Sequence, residues 1–180
     1  MFRLLWKTIS TGKITEARAE LRDFNLSEFE AVGGKIKSLV DTLYGGRALR
    51  IRHVDAGSTN AEELELTALG NPYYDIERFG LSFTASPRHA DILTVSGPVT
   101  RNMEHALKTA YEMTPEPKIV VAVGDGAITG GIWNGSYAVT GPVSAVIPVD
   151  YNIAGDPPSP IAIMKGLLGA LEAARNKKHA

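Results

Sequence analysis

The residues of this chain best placed to do chemistry are carboxylates set in turn-rich loops: Glu62, Glu63 and Glu65 in "DAGSTNAEELEL", Asp125 in "GDGAITGG" and Asp156 in "NIAGDPPSP". Carboxylates gathered out of water raise one another's pKa. Such a group suits a proton relay or a hard cation such as Mg²⁺ or Ca²⁺; the alternative is a set of acids solvated or paired with basic neighbours. A second candidate is "SPRHAD", where His89 titrates near neutrality and Arg88 can pair with an anion. "GPVT", before "RNMEHALKTAYEM", places Pro98 in the first turn of a helix with Thr100 nearby, an arrangement able to cap the helix or receive a phosphate. "GDGAITGG" is neither G-x-x-x-x-G-K-[ST] nor a G-x-G-x-x-G after the first strand, so nucleotide or flavin binding gains little support. Ser58 has no evident base, the histidines lack metal-site spacing, and no catalytic residue and no metal ligand set is assigned.

Positioning these loops requires a regular frame. "ALRIRHV", "LSFTAS", "DILTVSG" and "KIVVAVG" are rich in β-branched residues and read as strands, with "AVIPVD" (145 to 150) as a further one. Between and after them, 60–69, 99–113 and 160–176 read as helices. Alternation of this kind predicts an α/β domain with a mostly parallel sheet covered on both faces. Ligands of such sheets bind beyond the carboxyl ends of the strands, where the loops 55–60, 124–131 and 151–159 fall together. Upstream, Ser27-x-x-Glu30 forms a capping box before a helix that stops at Gly45 and Gly46, with Gly33 and Gly34 weakening its middle. Phe2, Leu4, Leu5, Trp6 and Ile9 form a short amphipathic stretch suited to docking on a partner, a membrane interface or its own domain. "RNKKHA" reads as a frayed polar tail.

At 180 residues the chain is sized for one ordinary domain, and a formal charge of −1 gives no reason to expect nucleic acid as a partner. There is no cysteine, which removes disulfides, thiolate zinc sites and cysteine-held iron–sulfur clusters. No stretch has the roughly 20 apolar residues of a membrane span.

The run "NPYYDIERFGLSFTASPRHADILTVSGPVTRNMEHALKTAYEMTPEPKIVVAVGDGAITGGIW", followed by "VIPVDYNIAGDPPSP", resembles the small iron–sulfur subunit shared by respiratory complex I and membrane-bound, energy-converting nickel–iron hydrogenases. "RHVDAGS" and "SPRHADIL" are more similar to the hydrogenase branch, and the resemblance covers residues 48 to 172. It implies a flavodoxin-like, three-layer fold whose crevice loops hold one [4Fe-4S] cluster through four cysteines. Matched residue by residue, those ligand positions fall on Thr59, Glu62, Gly126 and Asp156, so the cluster is expected to be absent.

Residues 1–46 are expected to form an arm and helix for docking on a partner or the membrane arm, and residues 47–180 the flavodoxin-like domain. The implied partners are a hydrogenase-like or complex I-like large subunit, a ferredoxin-like iron–sulfur subunit and a membrane-arm subunit, in an obligate hetero-oligomer at the cytoplasmic face of the membrane. Glu62, Glu63, Glu65, Arg88, His89, Asp125 and Asp156 are the implied relay or partner-contact residues. Two roles follow. One is a scaffold that couples ion or proton movement; the other is an electron-transferring subunit of an NADH–quinone oxidoreductase or energy-converting hydrogenase with an atypical or bypassed centre.

Overall fold

The computed structural model describes residues 26–179, together with Trp6 and Ser10. Apart from Trp6, the amphipathic N-terminal stretch lies outside the described residues. Helix α1 (Leu26–Tyr44) precedes β1 (Leu49–Asp55), α2 (Ala61–Ala68) and β2 (Leu81–Phe83). Next come β3 (Ile92–Ser96), β4 (Val99–Thr100), α3 (Arg101–Met113) and β5 (Ile119–Val123). The chain closes with α4 (Asp125–Thr129), β6 (Val139–Gly141), β7 (Tyr151–Ile153) and α5 (Pro160–His179).

Five strands pair in parallel in the order β2-β1-β3-β5-β7, while β4 and β6 form a separate antiparallel pair. With that short pair set aside, the sheet has the 2-1-3-4-5 order of flavodoxin-like folds, with its switch point between β1 and β3. Every residue of β3 and β5 is buried because these central strands are covered on both faces.

Alternation along the strands sends side chains into two cores. Ile51, Ile92 and Val121 pack with Phe29 and Ile36 of α1 and with Ile163, Met164 and Leu167 of α5. On the other face Val54, Leu93, Val95 and Val120 pack with Leu107 of α3 and Ile147. The glycine pair in α1 has a packing reason. A Cβ on Gly33 would lie 2.4 Å from Phe79 Cζ, so the bare backbone seats that ring, whose centroid is 5.9 Å from that of Phe29 in an edge-on contact.

Several expectations need correction. "AVIPVD" is not a strand: Val143–Ala145 is a 3₁₀ turn, and Pro148 has no N–H to donate to a ladder. The edge strand begins one residue later, where Asp150 N–H donates to Val120 O and Asp150 Oδ2 accepts from Val120 N–H, both at 2.9 Å. Residues 151–153 of the expected third loop are therefore β7, and the expected loop 124–131 contains α4. Pro98 lies before β4 and not in the first turn of α3, whose Arg101 N–H is already bonded to Ala138 O. Ser27 sits inside α1, and the polar tail continues α5 to His179. No helix among the described residues is long and apolar enough to cross a membrane.

Because the two cores are separated by the sheet, truncations on opposite faces should act independently. Ile163→Ala and Leu107→Ala are each expected to lower the unfolding free energy by about 2–5 kcal/mol, and the double variant by their sum within about 0.5 kcal/mol. Urea denaturation of the three variants measures this, and strong non-additivity would refute the two-core description.

Candidate functional site

The first loop is built by Asp55 at the end of β1. Its Oδ1 accepts the N–H groups of Gly57 and Ser58, each at 2.8 Å, an Asx turn that folds the chain back over the sheet. Ala56 N–H then donates to Ser96 O at 3.1 Å. The close approach requires Gly97, which has φ +69° and where a Cβ would stand 2.3 Å from Ser58 N. The second and third loops are joined reciprocally: Asp125 N–H donates to Gly155 O, and Asp125 Oδ1 accepts from Gly155 N–H, both at 2.9 Å.

These loops wall one cavity of about 490 Å³, and Thr59, Glu62, Asp125, Gly126 and Asp156 all line it. Glu62 is only 4% exposed. Beneath it lies Gly124 at φ +91°, where a Cβ would come within 2.4 Å of Glu62 Oε1. Burial pushes the Glu62 carboxyl above its ordinary range. Its own backbone N–H opposes that, while the charges of Glu63, Asp156 and Asp55 add to it. Asp125 is committed to Gly155, and among the described residues no three His, Asp or Glu side chains converge to hold a metal ion. Ile132 and Trp133 form the outer wall, and Ile132 is 88% exposed.

Glu63, one residue along α2, points elsewhere. Its Oε2 accepts from Ser58 Oγ at 2.5 Å and its Oε1 accepts from Ser96 Oγ, with His53 Nε2 3.2 Å from the same oxygen. His53 Nδ1 lies 3.1 Å from Thr94 Oγ1. A neutral imidazole protonated at Nε2 satisfies both contacts. Burial alone would raise the Glu63 carboxyl, but hydrogen bonds from Ser58, Ser96, its own backbone and His53 together hold it below the usual value. Burial lowers the His53 pKa and prevails over the attraction of Glu63 and Asp55. The network anchors Ser58, and hence the first loop, to β1 and β3. The hydrogen bond of Ser58 goes to the Glu63 carboxylate and not to the imidazole.

The remaining candidates are dispersed. Glu65 lies beside Tyr74, where burial first and the Glu65 charge second raise the phenol pKa. Arg88 and His89 occupy a 3₁₀ turn at the amino end of β3, about 15 Å or more from the cavity at its carboxyl end. The cavity therefore gathers Thr59, Glu62, Asp125, Gly126 and Asp156 and leaves Glu63, Glu65, Arg88 and His89 outside. Sequence reasoning missed the partners of Glu63. The β1–β3 register that sets His53 opposite Thr94 is the signal, and single residues do not display it. It also missed Ile132, Trp133 and Tyr137, exposed apolar residues legible only once the loop is placed.

Residues 60–170 match the family model described as NADH ubiquinone oxidoreductase, 20 kDa subunit. The probable membrane-bound hydrogenase subunit mbhJ of Pyrococcus furiosus is 45% identical over 127 residues, 71% of this chain and 76% of that one. Formate hydrogenlyase subunit 7 of Escherichia coli is 40% identical over 134 residues, 74% of this chain but only 52% of that protein. A chain in the structure of the membrane-bound sulfane sulfur reductase, an archaeal respiratory membrane complex, superposes with a TM-score of 0.66 at 34% identity, covering 77% of this chain and 76% of the other. This chain belongs to the 20 kDa subunit family and is related to its hydrogenase members.

The [4Fe-4S] cluster implied by that family is held by soft thiolates. The matching positions here offer the Thr59 hydroxyl, the hard carboxylates of Glu62 and Asp156, and no side chain at Gly126. A Cβ at Gly126 would stand 3.1 Å from Pro98 Cδ, tighter than ordinary contact. The donor set does not fit the cluster, and no redox step is derived through it.

Glu62 gives a pH test. Its folded pKa is raised above the unfolded value, so its contribution to stability is complete below the ordinary value of 4.5 and is lost as pH rises through the folded pKa. Glu62→Gln should therefore raise Tm at pH 8, by roughly 2–4 °C per kcal/mol gained, with the difference vanishing below about pH 4. Equal Tm values for the two proteins across that range would contradict a desolvated carboxyl.

Proposed function

We propose that this chain is a scaffold and coupling subunit of a membrane-bound, hydrogenase-related complex, acting at the family's cluster position without an iron–sulfur centre. The relatives named above support membership of such a complex. The observation that carries the reading is the cavity itself: three loops enclose Thr59, Glu62, Gly126 and Asp156 together, and carboxylates stand among positions matched to thiolates.

In this reading the chain sits as an obligate partner between a hydrogenase-like large subunit and a membrane arm, peripheral on the cytoplasmic face. Residues 1–46 provide docking. Because α1 spends its apolar face on the chain's own core, that docking falls to the segment before it. Glu62, held protonated more readily than a solvated acid, takes up and releases a proton at the cavity wall, and Asp156 modulates it by charge. Glu63 has a positioning role, holding Ser58 and the loop that carries Thr59. Arg88 and His89, remote from the cavity, stand outside this relay.

In the assembled complex, Glu62→Ala with Asp156→Ala should reduce ion transport several-fold while subunit composition stays constant. Unchanged transport would remove the relay and leave the scaffold.

The rival reading is an electron-transferring oxidoreductase subunit, favoured by the family's name alone. Iron and acid-labile sulfide assays on the native complex, related to the content of its other subunits, separate the two. A stoichiometric cluster assigned to this chain by low-potential spectroscopy would overturn the scaffold reading. Its absence is the expected result.

A further inference from the structure

At the opposite end of the sheet from the carboxylate cavity, a groove of about 540 Å³ is lined by Arg47, Arg50, Arg88, His89 and Asp91. Its charges are unbalanced. Asp91 is the one acid among its lining residues, and that carboxylate is already engaged. Arg47 grips it with two guanidinium contacts of 2.5 and 3.1 Å, and the Arg50 backbone N–H donates to it at 2.9 Å. Arg47 and Asp91 cancel, leaving the guanidinium groups of Arg50 and Arg88. Among the described residues neither is in an ion pair, and the hydrogen bond of Arg88 goes to the weak acceptor Met113 Sδ at 3.5 Å. Two residues along β1, on the same face as Arg50, the buried Nε of Arg52 has no hydrogen-bond partner.

Guanidinium groups without a counter-charge in a concave site concentrate anions. Their planar donor forks match tetrahedral oxyanions in bidentate fashion. A single carboxylate neutralises one of them, whereas a phosphomonoester carries −1.5 to −2 at neutral pH, the charge this groove lacks. His89 also lines the groove.

We propose that this groove binds a phosphate-bearing anion, with Arg50 and Arg88 as its principal ligands. The chemistry is shared by a free phosphate or phosphomonoester and by the headgroup of an anionic phospholipid.

The full-length chain, titrated with inorganic phosphate by calorimetry and mixed with phosphatidylcholine vesicles with and without phosphatidic acid, tests this. Saturable binding of phosphate, of the phosphatidic acid vesicles, or of both is expected, with none to phosphatidylcholine alone. Arg50→Gln with Arg88→Gln should weaken it at least about tenfold, since the neutral amides keep neither the charge nor the fork. Arg50→Lys with Arg88→Lys should restore only part, because lysine keeps the charge and loses the fork. Both side chains are exposed, so unchanged thermal unfolding serves as the folding control. Vesicle binding that free phosphate displaces identifies a lipid headgroup, and phosphate binding without vesicle binding identifies a soluble ligand. Absence of both, or affinity untouched by the glutamine pair, overturns the proposal; so does loss of partner co-purification in that pair without any phosphate binding, which would assign the groove to an acidic protein surface.

Discussion

The site depends on main-chain contact between loops that are far apart in sequence. Ser58 lies against Gly97, and Asp125 and Gly155 exchange two hydrogen bonds. A parallel sheet delivers its loops to one end but does not hold them together, since each loop follows its own strand. The contacts here use atoms that every loop possesses, N–H and C=O, plus the Asp55 and Asp125 carboxylates as acceptors. These contacts fix the walls of the cavity without the side chains of Thr59, Glu62 and Asp156. The side chains of Thr59 and Asp156 line the cavity and supply none of these loop-to-loop contacts.

Two adjacent residues of α2 illustrate how environment divides like groups. Glu62 faces the cavity, loses water and gains few compensating bonds; Glu63 faces the strands and accepts hydrogen bonds from two serines and the His53 imidazole. Desolvation dominates the first, and hydrogen bonding overcomes it in the second. The carboxylate beside Ser58 anchors the loop, while burial raises the pKa of its neighbour.

The parallel frame was legible because "RIRHV", "ILTVS" and "IVVAV" are runs of β-branched and apolar residues of strand length, separated by helix-length segments. That the loops 55–60, 124–131 and 151–159 meet followed from placing each at the end of a strand, whereas Thr59, Glu62, Gly126 and Asp156 were singled out by the family resemblance. What escaped was set by register and by brevity. "AVIPVD" has strand composition, but its proline displaces pairing to the three residues that follow. The β4–β6 pair comprises two and three residues and leaves no periodic trace. Ser96 and Thr94 join His53 and Glu63 only because β1 and β3 align Asp55 with Ser96 and His53 with Thr94. Glu65, grouped with Glu62 and Glu63 by sequence, turns toward Tyr74 because helical neighbours three apart need not share a wall when the cavity touches only one edge of the helix.

The Asp125–Gly155 exchange also bears on how such a subunit is made. A pocket closed by hydrogen bonds within the chain takes its shape as the chain folds. Its loops carry no thiol for oxygen to attack.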